Sequence, residues 1–148
     1  MTAIDTGARI PWHFWLVLAI AVLWNGYGGY DYVMSQTVGD PYFRKMGMSE
    51  GVIAYMHAYP AWMVGVWATG VWTSVLGSVL LLMRRAWAVQ AFAVSFVAVV
   101  VMIIYTHLLT DGAKVMGPQA GVMNLVITAA CAFFVWYSWL MAKRGVLR

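Results

Sequence analysis

Polar side chains interrupt two stretches of the sequence that are otherwise apolar. Asn25 lies in the segment WNGYGGYDYVMSQ, residues 24–36, which also holds Asp31 and Gln36, and Asn124 lies in the last apolar stretch. Side-chain amides both donate and accept hydrogen bonds, and aromatic faces pack against the C–H faces of sugar rings. Amides beside tryptophan and tyrosine therefore favour a pocket for a small polar molecule.

Helical spacing places these polar groups on common faces. Asn25, Tyr32 and Gln36 share one face of a helix, and Asn124 and Thr128 share a face of another. A rise of about 1.5 Å per residue puts the two asparagines at a similar depth, and groups that lack water should turn inward and meet. The predicted outward-opening pocket consists of Trp24, Asn25, Asp31, Tyr32, Gln36, Trp62, Trp72, His107, Asn124 and Thr128.

A purely structural role is the alternative for the same residues. Hydrogen bonds of asparagine and threonine between membrane helices stabilise by roughly 1 kcal/mol and commonly only hold helices together. A metal site has weaker support, because its possible ligands, His57, His107, Asp31 and Asp111, form no compact ligand motif. The sequence therefore predicts no catalytic residue, metal or cofactor, and an enzyme is the less favoured class.

Apolar helices must position these residues. Of the 148 residues, 64% are hydrophobic and 9% are charged, whereas soluble domains carry about a quarter charged residues. Four apolar runs each have the roughly 20 residues with which a helix crosses about 30 Å of hydrocarbon. These runs are residues 12–34, 60–83, 86–109 and 119–141. The sequence therefore predicts an all-α integral membrane protein, with one four-transmembrane-helix bundle over residues 1–148.

The connection between the first two runs carries the signals of a short surface helix. In MSEGVIAYMHAYP, residues 48–60, Ser49 suits the N-cap and Glu50 the first turn. Pro60 disfavours helical backbone at Tyr59, so we expect the chain to bend there before the second run.

Small residues recur at every fourth position of the second run and allow helix backbones to approach closely in lipid. They form two stripes about 100° apart around the helix. The first consists of Ala61, Gly65, Thr69, Thr73 and Gly77, and the second of Gly70, Ser74 and Ser78. We expect this helix to be the packing centre of the bundle.

The net charge of +4 divides unevenly between the two ends of the predicted bundle. Six basic residues lie at the end with the termini and three at the other end, a distribution that predicts cytoplasmic termini. The six are Arg9, Arg84, Arg85, Lys143, Arg144 and Arg148, and the three are Arg44, Lys45 and Lys114. Asp5 is the one acidic residue expected at the terminal end. Topology thus explains the basic charge without a nucleic-acid partner.

Three segments carry a resemblance to a known family. They are LWNGYGGYDYVMSQ, YPAWMVGVWATGVWTSVLGSVLLLMRRAWAVQAF and WYSWLMAKRGVLR. Together they resemble a family of small, mostly uncharacterised four-helix proteobacterial inner-membrane proteins whose members often carry the name sugar transporter. The resemblance covers almost the whole chain from Trp12 to Arg148. It implies the multi-pass topology and the bacterial inner (plasma) membrane, and it implies no catalytic residue.

Three functions remain open on the sequence. The first is an accessory or binding protein for a membrane protein or lipid-like molecule. The alternative is a sugar-like solute transporter. It would need an oligomer, because one four-helix bundle without an internal repeat has too few helices to surround a transport path. A second alternative is a redox or quinone-binding subunit with Asp31 or His107 transferring protons. The expected partners are the lipid bilayer and a membrane protein or a second copy.

Overall fold

A computed structural model describes residues 8–148, and all its regular elements are helical. Asp5 lies outside the described residues. The elements are α1 (Trp12–Thr37), α2 (Asp40–Lys45), α3 (Glu50–His57), α4 (Ala61–Leu82), α5 (Ala88–Ile104), a π-helical turn (Tyr105–Leu109) and α6 (Gly112–Lys143).

Three segments of the described chain are long and apolar enough to cross a membrane. They are Ala61–Leu82, Ala88–Leu109 and Gly112–Lys143. Helix α1 has 26 residues but is not among them, because Asn25, Asp31 and Gln36 lower the apolarity of its second half. Residues 8–148 are therefore all-helical in their regular structure and include three candidate membrane-spanning helices.

The long helices pack side by side in chain order. Helix α1 packs against α4, α4 against α5, and α5 against α6, whereas α1 and α6 make no extended contact within residues 8–148. They approach each other where α1 begins and α6 ends, and His13 Nδ1 lies 2.6 Å from the Tyr137 hydroxyl there. We call this end of the bundle the closed end and the opposite end the open end.

A hydrophobic cluster fills the closed end. Phe14 and Met141 are fully buried in it, and Phe92 stacks on Phe134 with their ring centroids 5.4 Å apart. The cluster consists of Phe14, Val17, Leu18, Ala21, Leu81, Ala88, Phe92, Phe134, Tyr137, Met141, Val146 and Leu147. All four long helices therefore share one core at this end.

The residues after α6 fold back against the turn between α4 and α5. The Ala86 amide donates to the Arg148 carbonyl at 2.9 Å, and the Arg148 amide donates to the Arg84 carbonyl at 2.8 Å. Arg84 adopts a positive φ of 55° and donates from Nε to the Val146 carbonyl at 3.0 Å. Because Leu147 is also buried, this segment is part of the core.

The open end differs from the sequence-based expectation in three ways. Helix α2, Asp40–Lys45, was not predicted. The third run ends in a π-helical turn after Ile104. Helix α6 begins at Gly112 and so includes a helical stretch that was not predicted; its path is interrupted at Gly117 and resumes at Pro118, close to the start of the fourth predicted run. Helix α3 has Ser49 as its N-cap, whose side chain accepts a hydrogen bond from the Val52 amide.

The small residues of α4 serve two different surroundings. Gly70, Ser74, Gly77 and Ser78 are buried, and a Cβ atom at Gly77 would lie 2.8 Å from the Phe92 ring. Gly65, by contrast, is exposed and has open space where a side chain would begin. Within the described chain, Gly77 of the first stripe thus serves helix packing, whereas Gly65 of the same stripe does not.

This contrast gives a paired test of the packing between α4 and α5. Gly77→Ala should lower the free energy of unfolding by about 1–3 kcal/mol, because the added methyl overpacks against Phe92. Gly65→Ala on the same helix should leave it unchanged or raise it by up to about 1 kcal/mol, since alanine favours helix. Denaturant unfolding in detergent measures both. Equal effects of the two substitutions would contradict the close approach at Gly77.

Candidate functional site

Asn25 holds α1 against α4. Its Nδ2 donates to the Ser78 hydroxyl at 2.9 Å, and only 5% of the residue is exposed. The Ser78 hydroxyl in turn lies within hydrogen-bonding distance of the Ala21 carbonyl at 3.2 Å and the Ser74 carbonyl at 3.1 Å. Water is scarce in such an interface, so these groups must satisfy one another. The amide is therefore occupied by helix packing.

Asp31 joins α1 to α2. The Tyr42 hydroxyl donates to Asp31 Oδ1 at 2.6 Å. This hydrogen bond to the carboxylate raises the pKa of Tyr42 well above its ordinary value. Tyr42 packs in a small cluster with Phe43 and Ile53, so the contact fixes the α2–α3 segment over the end of α1.

Ion pairs hold α2 and α3 together on the outside of this segment. Arg44 binds Glu50 through two hydrogen bonds of 2.7 and 3.1 Å, and His57 Nε2 lies 2.7 Å from Asp40 Oδ1. The Arg44 guanidinium lowers the pKa of Glu50. All four side chains are at least a third exposed, so each pair contributes little to stability. The pairs set the orientation of α3 more than its stability.

Aromatic rings collect in two groups near the open end. Tyr32 meets Trp67 edge-on at 5.0 Å between centroids and Trp72 at 6.1 Å. In the second group, Tyr105 meets Tyr59 at 5.9 Å and Trp62 at 5.4 Å. Burial raises the pKa of Tyr59 to about 12. The aromatic residues of the predicted pocket are thus divided: Tyr32 and Trp72 belong to the first group, Trp62 belongs to the second, and Trp24 belongs to neither.

A cavity of about 380 Å³ lies between the π-helical turn and the first part of α6. Gly117 creates one wall by leaving the helical path with φ 78° and ψ 176°, a conformation that only glycine adopts without strain. Pro118 then restarts the helix at a position where its missing N–H costs nothing. The lining consists of Thr106, His107, Ala113, Lys114, Met116, Gly117, Pro118, Ala120, Gly121 and Asn124.

The cavity offers a small set of polar groups on a largely apolar lining. The Asn124 side-chain amide has no hydrogen-bond partner within residues 8–148. The Thr128 hydroxyl donates to the Asn124 main-chain carbonyl at 2.7 Å. His107 Nδ1 lies 3.2 Å from the Ile103 carbonyl, so in the neutral ring Nδ1 donates and Nε2 accepts. Lys114 pairs with Asp111 at 2.7 Å at the exposed rim, and this lowers the pKa of Asp111.

Two features of the cavity favour ligand binding: the rare π-helical turn beside it and its volume. Single π-helical turns occur frequently at functional sites, because the extra residue turns side chains away from the regular helix face. Here the turn carries Thr106 and His107, which both line the cavity. A volume of 380 Å³ lies within the range of about 300–1,000 Å³ for small-molecule pockets. The cavity is therefore the best candidate for a binding site.

A second, apolar groove of about 590 Å³ runs between α4 and α5. Its lining includes the small residues Gly65, Thr69 and Ala93 of the two helices and the valines Val97 and Val101 of α5. The Thr69 hydroxyl donates to the Gly65 carbonyl at 2.8 Å, so its proton is not available to a ligand. The groove has room for a ligand but few polar groups that could bind one.

The structure brings only two of the ten predicted pocket residues, His107 and Asn124, into one cavity. Asn25 is buried against α4 and Asp31 accepts from Tyr42, while Gln36 and Trp24 are exposed. Tyr32 and Trp72 belong to the first aromatic group, Trp62 to the second, and Thr128 donates to the Asn124 carbonyl. Asn25 and Asn124 do not meet, because α1 and α6 separate toward the open end.

Several residues of the cavity carry no strong signal in the sequence. Thr106, Ala113 and Met116 are ordinary residues of an apolar segment. The Gly117–Pro118 pair is the one signal that could have located the cavity, since glycine before proline commonly interrupts a helix. Tyr42, the partner of Asp31, lies in a helix that was not predicted.

The four possible metal ligands are distributed over separate contacts. His57 pairs with Asp40, Asp31 with Tyr42, and Asp111 with Lys114, while His107 lies beside a main-chain carbonyl. Within residues 8–148, no three side chains of histidine, cysteine, aspartate or glutamate come together in a group that could hold a metal ion.

Comparisons with known proteins add no family to this geometry. The chain matches no protein-family model, and comparisons with curated proteins and with solved structures find no match.

The two asparagines should respond differently to truncation. Asn25→Ala should lower the free energy of unfolding by about 1 kcal/mol, because it removes the hydrogen bond to Ser78. Asn124→Ala should change it by less than about 0.5 kcal/mol, since its amide has no partner in the described chain. Denaturant titration in one detergent compares them. A greater loss at Asn124 would contradict these assignments.

Proposed function

We propose that all four long helices cross the bilayer. Helix α1, at about 39 Å, is long enough, and it exposes large apolar side chains, among them Leu16, Ile20 and Leu23. The contacts at its ends support the same arrangement. His13 lies beside Tyr137 at the closed end, while α3, which follows α1, contacts the start of α6 through Tyr55 and Thr110. Because α1 extends between the same two ends as α6, it crosses if α6 does.

The proposed membrane is the bacterial inner membrane, with both termini in the cytoplasm. The closed end carries the six basic residues predicted there, and basic residues favour the cytoplasmic side. At the open end Arg44 and Lys114 each pair with a carboxylate. Exposed Trp12 and Trp87 at the closed end are residues typical of a membrane interface. The surface helix α3 then lies on the outer side.

The function that the geometry supports best is that of an accessory binding protein, which holds a small polar molecule in the cavity beside the π-helical turn. The observation that carries this proposal is the juxtaposition of the unpartnered Asn124 amide with His107 across a cavity of about 380 Å³. The amide supplies donors and an acceptor, and the neutral His107 ring supplies an acceptor. Apolar neighbours such as Met116 lower the local polarity, and hydrogen bonds are stronger in less polar surroundings.

A sugar-like solute transporter working as an oligomer is the second candidate. The first aromatic group favours it, because Tyr32, Trp67 and Trp72 present ring faces near the open end and exposed Gln36 lies one turn further along α1. Flux into proteoliposomes would favour this candidate if it were lost in Trp72→Ala and retained in Asn124→Leu.

A co-purification experiment tests the binding proposal. Small molecules retained by the purified protein are extracted and identified by mass spectrometry for the unchanged chain, Asn124→Leu and Gln119→Leu. Asn124→Leu should reduce a retained compound about tenfold or more, because one lost buried hydrogen bond costs about 1–3 kcal/mol.

Gln119→Leu is the matched control, since it makes the same chemical change on the same helix at an exposed residue outside the lining. It should leave the retained compound unchanged. A set of retained molecules that is identical in all three proteins would rule out the cavity as the binding site.

A further inference from the structure

The fold of the closed end concentrates basic side chains that are far apart in the sequence. The main-chain bonds between Ala86 and Arg148, and between Arg148 and Arg84, place Arg148 beside the α4–α5 turn. Arg85 lies in that turn, so it is a neighbour of Arg148 although 63 residues separate them in the chain. The folded-back segment thus brings two ends of the basic sequence together.

Two further basic residues adjoin the same place. Arg144 is the C-cap of α6 and precedes the folded-back segment. Ala8 lies against Gly145 of that segment, which brings Arg9 to the same end. Arg9, Arg85, Arg144 and Arg148 are all exposed. We call this surface the basic patch and define it by Arg9, Arg84, Arg85, Arg144 and Arg148.

The basic patch lacks opposite charge in the part of the chain that the structure describes. All the ion pairs found within residues 8–148 lie at the open end, among α2, α3 and the start of α6. The one further side-chain carboxylate expected at this end from the sequence is Asp5, which lies outside the described residues. Guanidinium groups on neighbouring segments with no side-chain carboxylate paired to them in the described chain repel one another, so a bound anion would stabilise them.

The surroundings of the basic patch indicate which anion would reach it. Trp12 and Trp87 at this end are 77% and 69% exposed, and exposed tryptophans of membrane proteins lie at the level of the lipid headgroups. Lys143 stands over the Trp139 ring, with Nζ 4.0 Å from the centroid, and marks the same level. Phosphates of acidic lipids lie at this level and attract basic clusters.

We propose that the basic patch binds the phosphate headgroup of an anionic phospholipid. Arginine suits this role because its planar guanidinium can donate two hydrogen bonds to a phosphate at once. Arg84 acts differently from the other members, since its Nε already donates to the Val146 carbonyl and it holds the folded-back segment in place. The inference rests on the proposed membrane-spanning arrangement, but not on the binding cavity at the open end.

Lipid titration of the full chain in a neutral detergent tests the proposal. Phosphatidylglycerol is compared with phosphatidylcholine and with inorganic phosphate, and binding is measured by native mass spectrometry. We expect selective binding of phosphatidylglycerol that weakens as salt rises from about 50 to 500 mM, since screening reduces charge attraction. Equal binding of the two lipids, or displacement of phosphatidylglycerol by an equal concentration of inorganic phosphate, would overturn the proposal.

Paired variants locate the binding. Arg85→Gln/Arg148→Gln should raise the apparent Kd for phosphatidylglycerol about tenfold or more, because each basic residue near an anionic headgroup contributes about a factor of five. Arg44→Gln/Lys45→Gln removes two positive charges at the open end and should leave the Kd unchanged. Arg85→Lys/Arg148→Lys keeps both positive charges but not the paired guanidinium donors, so its Kd should lie between those of the unchanged chain and the glutamine variant, and it shows that the altered surface still folds.

Equal loss in the closed-end and open-end glutamine variants would also overturn the proposal. The compound retained in the cavity is measured in the same preparations. In the unchanged chain, a compound retained through Asn124 without any preference for phosphatidylglycerol would refute the basic patch alone. A preference for phosphatidylglycerol without a compound that depends on Asn124 would refute the cavity alone.

Discussion

The rest of the structure depends on the packing at the closed end, where all four long helices share one hydrophobic core. Phe14 of α1 and Met141 of α6 are both fully buried in it, although α1 and α6 make no extended contact elsewhere in the described chain. The folded-back segment strengthens this end by bonding its backbone to the α4–α5 turn. Loss of this core would leave α1 attached to the bundle through α4 and the contacts of α2 and α3.

Closure at one end permits an irregular structure at the other. The bundle needs no tight packing of α6 near the open end, and none of residues 113–130 is fully buried. A π-helical turn and the break at Gly117 are tolerated there, and between them they create the cavity. In the membrane such irregular backbone is stable only where protein or water satisfies its polar groups. Thr110 illustrates this, since its hydroxyl bonds both the Tyr105 carbonyl and the Tyr55 hydroxyl.

The apolar pattern was sufficient to locate the long helices approximately, because the length and composition of a hydrophobic run depend on the sequence alone. The sequence also predicted Ser49 as the N-cap of α3, since capping is a local interaction. The hydrogen-bond partners of the polar residues could not be predicted from the sequence. Asn25 bonds Ser78 rather than facing Asn124, and that choice depends on which helices are neighbours and how each is rotated.

The candidate site could be predicted only in part for the same reason. His107 and Asn124 were identified by residue type, but the cavity that joins them arises from the π-helical turn and from the positive φ of Gly117. Neither feature follows from hydrophobic periodicity. The fold of residues 144–148 was missed because a short segment after a helix has no periodic pattern, although Val146 and Leu147 are among the most buried residues.

Cysteine labelling tests directly whether α1 crosses the membrane as a fourth span, as we propose. Arg9 and Lys45 flank α1 and are both exposed. Each is replaced by cysteine in a Cys131→Ala background, and intact cells are treated with a membrane-impermeant maleimide. Lys45→Cys should be labelled in intact cells, whereas Arg9→Cys should be labelled only after the membrane is permeabilised. Labelling of both residues from the same side would contradict the four-span arrangement.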